Sequence, residues 1–72
     1  MNNSVTIEKL TTGNKTICTM QAWNGSEFIS KQITNNEAWK MEVSCAKAGY
    51  TSRVDKNKIV GDALHVIVTW SK

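Results

Sequence analysis

The chain lacks long apolar segments, and this scarcity excludes an integral membrane protein with spanning helices. Its longest uninterrupted apolar run is Val66–Val68, whereas a membrane-spanning helix needs about 20 apolar residues. The first ten residues, MNNSVTIEKL, have neither the basic start nor the apolar stretch of a secretory signal. We therefore expect no membrane association and a cytoplasmic location.

Cysteine and histidine are also scarce. The only such residues are Cys18, Cys45 and His65. A small secreted domain usually carries several disulfides, and a structural zinc site needs four ligands. We interpret both thiols as small buried apolar groups and His65 as a structural residue within a strand. No metal site and no cofactor are predicted.

The sequence also has little that could perform catalysis. Its four glycines are isolated, so no glycine-rich phosphate loop is present, and its six carboxylates do not follow metal-ligand spacing. A cysteine nucleophile needs exposure and a lowered pKa, whereas both cysteines are expected to be buried. The sequence predicts a non-catalytic protein.

Length and composition indicate one small folded domain over residues 1–72. The hydrophobic content of 40% and charged content of 21% are typical of folded proteins. A chain this short buries only about 60% of its unfolded surface, so the core should be thin. The net charge of +3 is mild, and the nine Lys and Arg residues are spread along the chain.

Alternating apolar and polar residues predict strands over Ser4–Leu10, Lys15–Trp23, Ser26–Ile33 and Ala63–Trp70. Residues 50–54 could form a further strand, and residues 55–62 are expected to be a polar connection. Asn24-Gly25 predicts a two-residue type I′ turn. That turn would place Trp23 opposite Ser26 and Gln21 opposite Phe28.

One helix is predicted over residues 35–48. Thr34 and Glu37 form a capping-box pattern at its start, and Gly49 suits its C-terminal cap. Glu42 falls within the apolar arc of this helix, where we expect it to lie at the boundary and reach water; a partner contact is the alternative. The fold class is α+β: an antiparallel sheet of four to five strands, with one helix packed on one face, in the order ββ(β)αββ.

One helix can cover only one face of a sheet. The other face would then carry Trp23, Phe28, Ile17 and Gln21. Exposed apolar patches usually mark interaction surfaces, and Trp is enriched among interface hot spots. The alternative is that Trp23 and Phe28 pack on each other across the hairpin. A homodimer that hides this face is a third possibility.

The segment WNGSEFISKQIT at residues 23–34, followed by a helix with Trp39 and two strands, resembles the Dmd antitoxins of T-even phages. Small anti-CRISPR proteins are similar in size and architecture. The resemblance spans about residues 15–70, and the first strand here departs from it. It implies a phage or mobile-element inhibitor that binds a defence nuclease or toxin complex in the bacterial cytoplasm. Trp23, Phe28 and Lys31 become contact candidates, beside Gln21 and Ile17.

A hairpin with Lys in its second strand, followed by Thr-x-x-Glu-Ala and a helical Trp, is also similar to the arm-binding domains of phage integrases. That resemblance implies a small DNA-binding module. Its candidate contacts are Lys15, Lys31, Arg53 and Lys56, with Gln21. A groove-facing surface should be distinctly basic, and the cations here are scattered, so protein binding is the favoured hypothesis.

Overall fold

The computed structural model describes residues 3–72, which form five strands and one helix. Their bounds are β1 Ser4–Thr12, β2 Lys15–Trp23, β3 Phe28–Ile33, α1 Asn35–Lys47, β4 Thr51–Val60 and β5 Ala63–Ser71. The strands make one antiparallel sheet in the order β3-β2-β1-β5-β4. The prediction of an α+β fold with an antiparallel sheet and one helix is confirmed. Within residues 3–72 no helix has the length and hydropathy needed to cross a bilayer.

Two tight turns set the register of the long hairpins. Gly13 follows β1 and Gly61 follows β4, with φ angles of 62° and 61°. Each turn has two residues, because Thr12 pairs with Lys15 and Val60 pairs with Ala63. Glycine adopts positive φ without the steric penalty of a Cβ atom, so both hairpins close without strain.

The helix begins with the capping box that the sequence predicts. Glu37 N–H donates to Thr34 Oγ1 at 3.1 Å, and Thr34 N–H donates to Glu37 Oε1 at 3.0 Å. At the other end Gly49 has a φ of 88°. Gly49 N–H donates to the Ala46 carbonyl at 3.2 Å, and Tyr50 N–H donates to the Cys45 carbonyl at 3.0 Å. This is a Schellman motif, which satisfies carbonyls that the helix end leaves free.

The core lies where α1 packs over β1, β2 and β3. It consists of Ile7, Cys18, Met20, Ile33 and Ala38. We call the side of the sheet that carries these strand residues the core face. The opposite side is the open face, over which no helix of the described chain lies.

Glu42 corrects the expectation that its carboxylate simply reaches water. Lys9 Nζ donates to Glu42 Oε1 at 2.8 Å, and the two side chains are only 30% and 21% exposed. A charge within the apolar arc is tolerated because it is paired. The pair joins α1 to β1.

The structure extends β4 well beyond residues 50–54. The strand runs over Thr51–Val60, and its second half lies within residues 55–62, where a polar connection was predicted. The register shifts between Val54 and Lys56, so Asp55 is an extra residue in a β-bulge. The bulge interrupts the alternation by which a strand is recognised. The polar residues are tolerated because β4 is an edge strand exposed over most of its length.

Candidate partner-binding face of the sheet

The open face carries an exposed aromatic pair at the edge formed by β2 and β3. Trp23 is the last residue of β2 and Phe28 is the first residue of β3, and the two lie directly opposite each other. Trp23 is 38% exposed and Phe28 is 63% exposed. Opposition across two strands brings their Cβ atoms to within about 5.5 Å, yet Phe28 remains more than half exposed.

A loop of four residues sets this pairing, and it corrects the register expected from a two-residue turn. Asn24 Oδ1 accepts hydrogen bonds from the backbone N–H groups of Ser26, at 3.0 Å, and Glu27, at 2.8 Å. This side-chain turn replaces the type I′ turn that Asn24-Gly25 predicted. Trp23 therefore faces Phe28, not Ser26.

The residues of β2 and β3 nevertheless lie on the faces predicted for them, because the observed register differs from the predicted register by two residues. Gln21 pairs with Ser30 rather than with Phe28. Side chains alternate with a period of two along a strand, so a two-residue shift leaves each on its expected face. Trp23, Phe28, Gln21 and Ile17 all lie on the open face.

A second apolar area lies toward the other end of the open face. Ile17 on β2 pairs with Leu10 on β1, and they are 42% and 39% exposed. Ile17 and Trp23 are six residues apart on one strand, which corresponds to about 20 Å. Sequence reasoning missed Leu10, although its alternation with Lys9 along β1 places it on the open face, and the register of β1 and β2 places it opposite Ile17.

The centre of the open face between these areas is polar and internally bonded. His65 Nε2 and Glu8 Oε2 are 2.5 Å apart, and the Oγ1 atoms of Thr6 and Thr69 are 3.2 Å apart. Thr69 also donates a short hydrogen bond to Asp55. These contacts tie β1 to β5 and β5 to β4, and they make His65 a structural partner of Glu8.

The bulge residue Asp55 is held on the same side of the sheet by two donors. The hydrogen bonds from Thr69 and from Arg53 keep the pKa of Asp55 below its usual range. The Arg53 guanidinium is 2.7 Å from Asp55. Arg53 is therefore partly neutralised as a candidate contact for phosphate.

The basic candidates do not all share one surface. Lys15, Arg53 and Lys56 lie on the open face, because each alternates with residues of the core face. Lys31 does not, since it pairs with Met20 on the core face. It borders a cavity of about 300 Å³ between β3 and α1, lined by Lys31, Ile33, Glu37, Lys40 and Met41. Lys31 is thus separated from Trp23 and Phe28, which corrects its grouping with them.

The thiols offer no accessible nucleophile in the described structure. Cys18 is fully buried and Cys45 is nearly so, and burial raises the pKa of both thiols. Residues 3–72 contain no cluster of three or more His, Cys, Asp or Glu side chains that could hold a metal ion. What the open face does offer is contact area: two apolar areas on either side of a polar centre whose side chains are hydrogen-bonded to one another. Comparisons with protein-family models, with curated proteins and with solved structures give no significant match for this chain.

Proposed function

We propose that this chain is a non-catalytic binding protein that docks its open face on another protein. The single observation that carries this proposal is the exposure of the Trp23–Phe28 pair on a face that α1 does not cover. Large aromatic side chains in water are unfavourable in a free monomer and supply much of the binding energy in interfaces. Cross-strand pairing makes the two residues neighbours, but Phe28 is still 63% exposed.

The partner class we propose is a bacterial defence nuclease or toxin complex, so that the chain acts as a phage or mobile-element inhibitor in the cytoplasm of the host. Inhibition by occlusion needs a rigid, complementary surface and no catalytic group. The internally bonded centre formed by Glu8, His65, Thr6 and Thr69 supports such rigidity. The resemblance of residues 15–70 to small phage antitoxins supports the choice of partner.

The test is quantitative binding to purified defence nucleases and toxin complexes, using Phe28→Ala and Trp23→Ala. The matched control is Ile29→Ala, because Ile29 follows Phe28 on β3, is 45% exposed and lies on the core face. We expect each open-face variant to weaken binding by about tenfold or more, with Ile29→Ala close to wild type. Circular dichroism establishes that each variant is folded. Normal binding by both open-face variants would exclude the open face as the docking surface.

Nucleic-acid binding is the second candidate, supported by the basic side of the open face. β4 carries Arg53, Lys56 and Lys58 on this face, and Lys15 lies at the start of β2. The Asp55 carboxylate neutralises part of the charge of Arg53, and the Glu8 carboxylate lies at the centre of the face. Both carboxylates lower the positive electrostatic potential of the open face.

This candidate is tested by fluorescence anisotropy with labelled duplex DNA over a range of salt concentrations. Phosphate contacts release counterions, so affinity should fall steeply as salt rises, and Lys56→Ala should reduce the slope by about one unit. Lys40→Ala is the control, because Lys40 lies on α1, on the other side of the sheet. A flat salt dependence would contradict nucleic-acid binding.

A further inference from the structure

The core face has an apolar strip that the helix leaves uncovered. α1 packs over β1, β2 and β3, whereas β5 and β4 extend the sheet beyond it. On this part of the core face Val54 is 61% exposed, Ile59 is 75% exposed and Leu64 is 40% exposed. Val66 and Val68 are half-buried beside them. We call these five residues the strip. None is charged, and the uncharged Asn57, which is exposed and lies opposite Val66, interrupts them on β4. Exposed apolar surface of this kind usually marks an interaction site.

The side of the helix that borders the strip carries apolar residues beside the Lys9–Glu42 ion pair. Glu42 reaches Lys9 on β1, and Lys9 pairs with Val66 on β5, so this side of α1 points toward the strip. Residues three and four positions from Glu42 lie on the same side of a helix, which places Trp39 and Ala46 there. Trp39 is 62% exposed. Together with the half-buried Val43, these residues form what we call the flank.

The flank rises above the strip by about one helix diameter, which is close to the distance between two sheets packed face to face. A helix with its side chains is about 10–12 Å across, and sheets that pack face to face are about 10 Å apart. A second copy of the chain, related to the first by a two-fold axis parallel to the strands, can pack its strip against the strip of the first copy. The flank of each copy then lies beside β4 of the other. The contact is isologous, as in most homodimers.

Charge does not oppose a second copy in this arrangement. The chain carries a net charge of +3, so most self-contacts would bring cations together. The strip is uncharged, and the cations of β4, Arg53, Lys56 and Lys58, point to the open face. Edge-to-edge pairing through β4 is less favourable, because its lysines and the bulge at Asp55 are devices that block such pairing.

The size of the contact sets the expected strength. A strip two strands wide and about 20 Å long, together with the flank, would bury about 800–1,000 Å² in total across both copies. That area is smaller than the about 1,200 Å² or more that stable specific interfaces bury, so the contact should be weak and transient. We propose that the chain forms a reversible homodimer by packing strip on strip, with the open face left free on both outer surfaces. The dimer does not depend on the partner proposed above.

The experiment is sedimentation equilibrium of the full chain from low to high micromolar concentration. We expect a monomer–dimer equilibrium with a Kd in the micromolar range. Ile59→Lys should weaken it by about tenfold or more, because every dimer would bury two lysines in an otherwise apolar contact. Val60→Lys is the matched control: Val60 is the next residue, is 56% exposed and lies on the open face. Its dimer should match wild type.

Other outcomes overturn the proposal. A wild-type chain that stays monomeric at the highest concentration would exclude self-association, and the strip would then fit a different occupant, such as a partner's amphipathic helix. Equal weakening by Val60→Lys and Ile59→Lys would place the contact at the β4 edge. If Ile59→Lys fails to fold by circular dichroism, Val54→Lys makes the same test at the other end of the strip. Phe28→Ala should leave the dimer intact while it weakens partner binding, which separates this proposal from the proposed function.

Discussion

Lys9 and Glu42 form an ion pair that joins the sheet to the helix, with 2.8 Å between Nζ and Oε1. The two residues are 33 positions apart in sequence. Both side chains are mostly shielded from water, so the attraction is less screened than on an open surface, and each charge would be costly alone. The pair therefore adds to the apolar packing of Ala38 in holding α1 on the sheet.

We expect Glu42→Ala to lower the free energy of unfolding by about 1–2 kcal/mol, between the values for exposed and buried pairs. Lys9→Ala should cost a similar amount, and the double variant should cost less than the two single changes added together. Urea denaturation of the four proteins measures this coupling. The control is Glu27→Ala in the exposed loop, which should change stability by less than about 0.5 kcal/mol. Strict additivity of Lys9→Ala and Glu42→Ala would show that the pair contributes no coupling.

The capping box gives the helix a dependence on pH. The hydrogen bonds from Thr34 hold the pKa of Glu37 below its ordinary value of 4.5. A carboxyl group with a lowered folded-state pKa contributes stability above its unfolded pKa, and that contribution is lost as pH falls through the folded pKa. Glu37→Gln keeps an acceptor for the Thr34 N–H but does not titrate.

The difference in melting temperature between wild type and Glu37→Gln should therefore be constant above about pH 5 and shrink at lower pH. Thermal unfolding followed by circular dichroism from about pH 2 to pH 7 measures it. The pKa of Asp55 is also lowered by its hydrogen bonds from Thr69 and Arg53, so only the difference between the two proteins reports on Glu37. A difference that does not vary with pH would exclude this role of the carboxylate.

The sequence was sufficient for the elements whose signals are local. The capping box at Thr34 and Glu37 and the positive-φ glycine at Gly49 define both helix ends within a few residues. The alternation in β2 and β5 defines two strands closely and assigns their faces. These features depend on neighbours within about four positions, so they can be read without the tertiary fold.

Features that depend on long-range geometry were not predictable. A side-chain turn around Asn24 replaced the expected two-residue turn and moved the register of β3. The bulge at Asp55 concealed the second half of β4, because an extra residue breaks the alternation. Which face of the β4–β5 hairpin stays uncovered depends on the strand order and on where α1 packs. Lys31 is different: its alternation with Ile29 and Ile33 already placed it on the core face, and it was grouped with Trp23 through a family resemblance.

Gly49 provides a test of backbone conformation without any packing change. Its φ is 88°, and no heavy atom lies within 4 Å of the position that a Cβ would occupy. Gly49→Ala should lower the free energy of unfolding by about 1 kcal/mol, because an L-residue is strained at positive φ. Gly49→Asn should cost less, since Asn tolerates this conformation better. Equal losses for both variants, measured by urea denaturation, would contradict the conformational explanation.

The two thiols should report on opening of the core. Cys18 is fully buried against Ile7, Met20, Ile33 and Ala38, and burial raises the pKa of its thiol, which lowers the fraction of reactive thiolate. Cys45 is nearly as buried, and its thiol pKa is raised in the same direction. We expect both to react with a disulfide reagent many times more slowly in the native protein than in urea at the same pH. Cys45→Ala isolates the signal of Cys18, whose native reaction should then follow the rate of unfolding or of a large opening. Rapid native labelling of that variant would show that α1 lifts from the sheet more easily than the buried cluster implies.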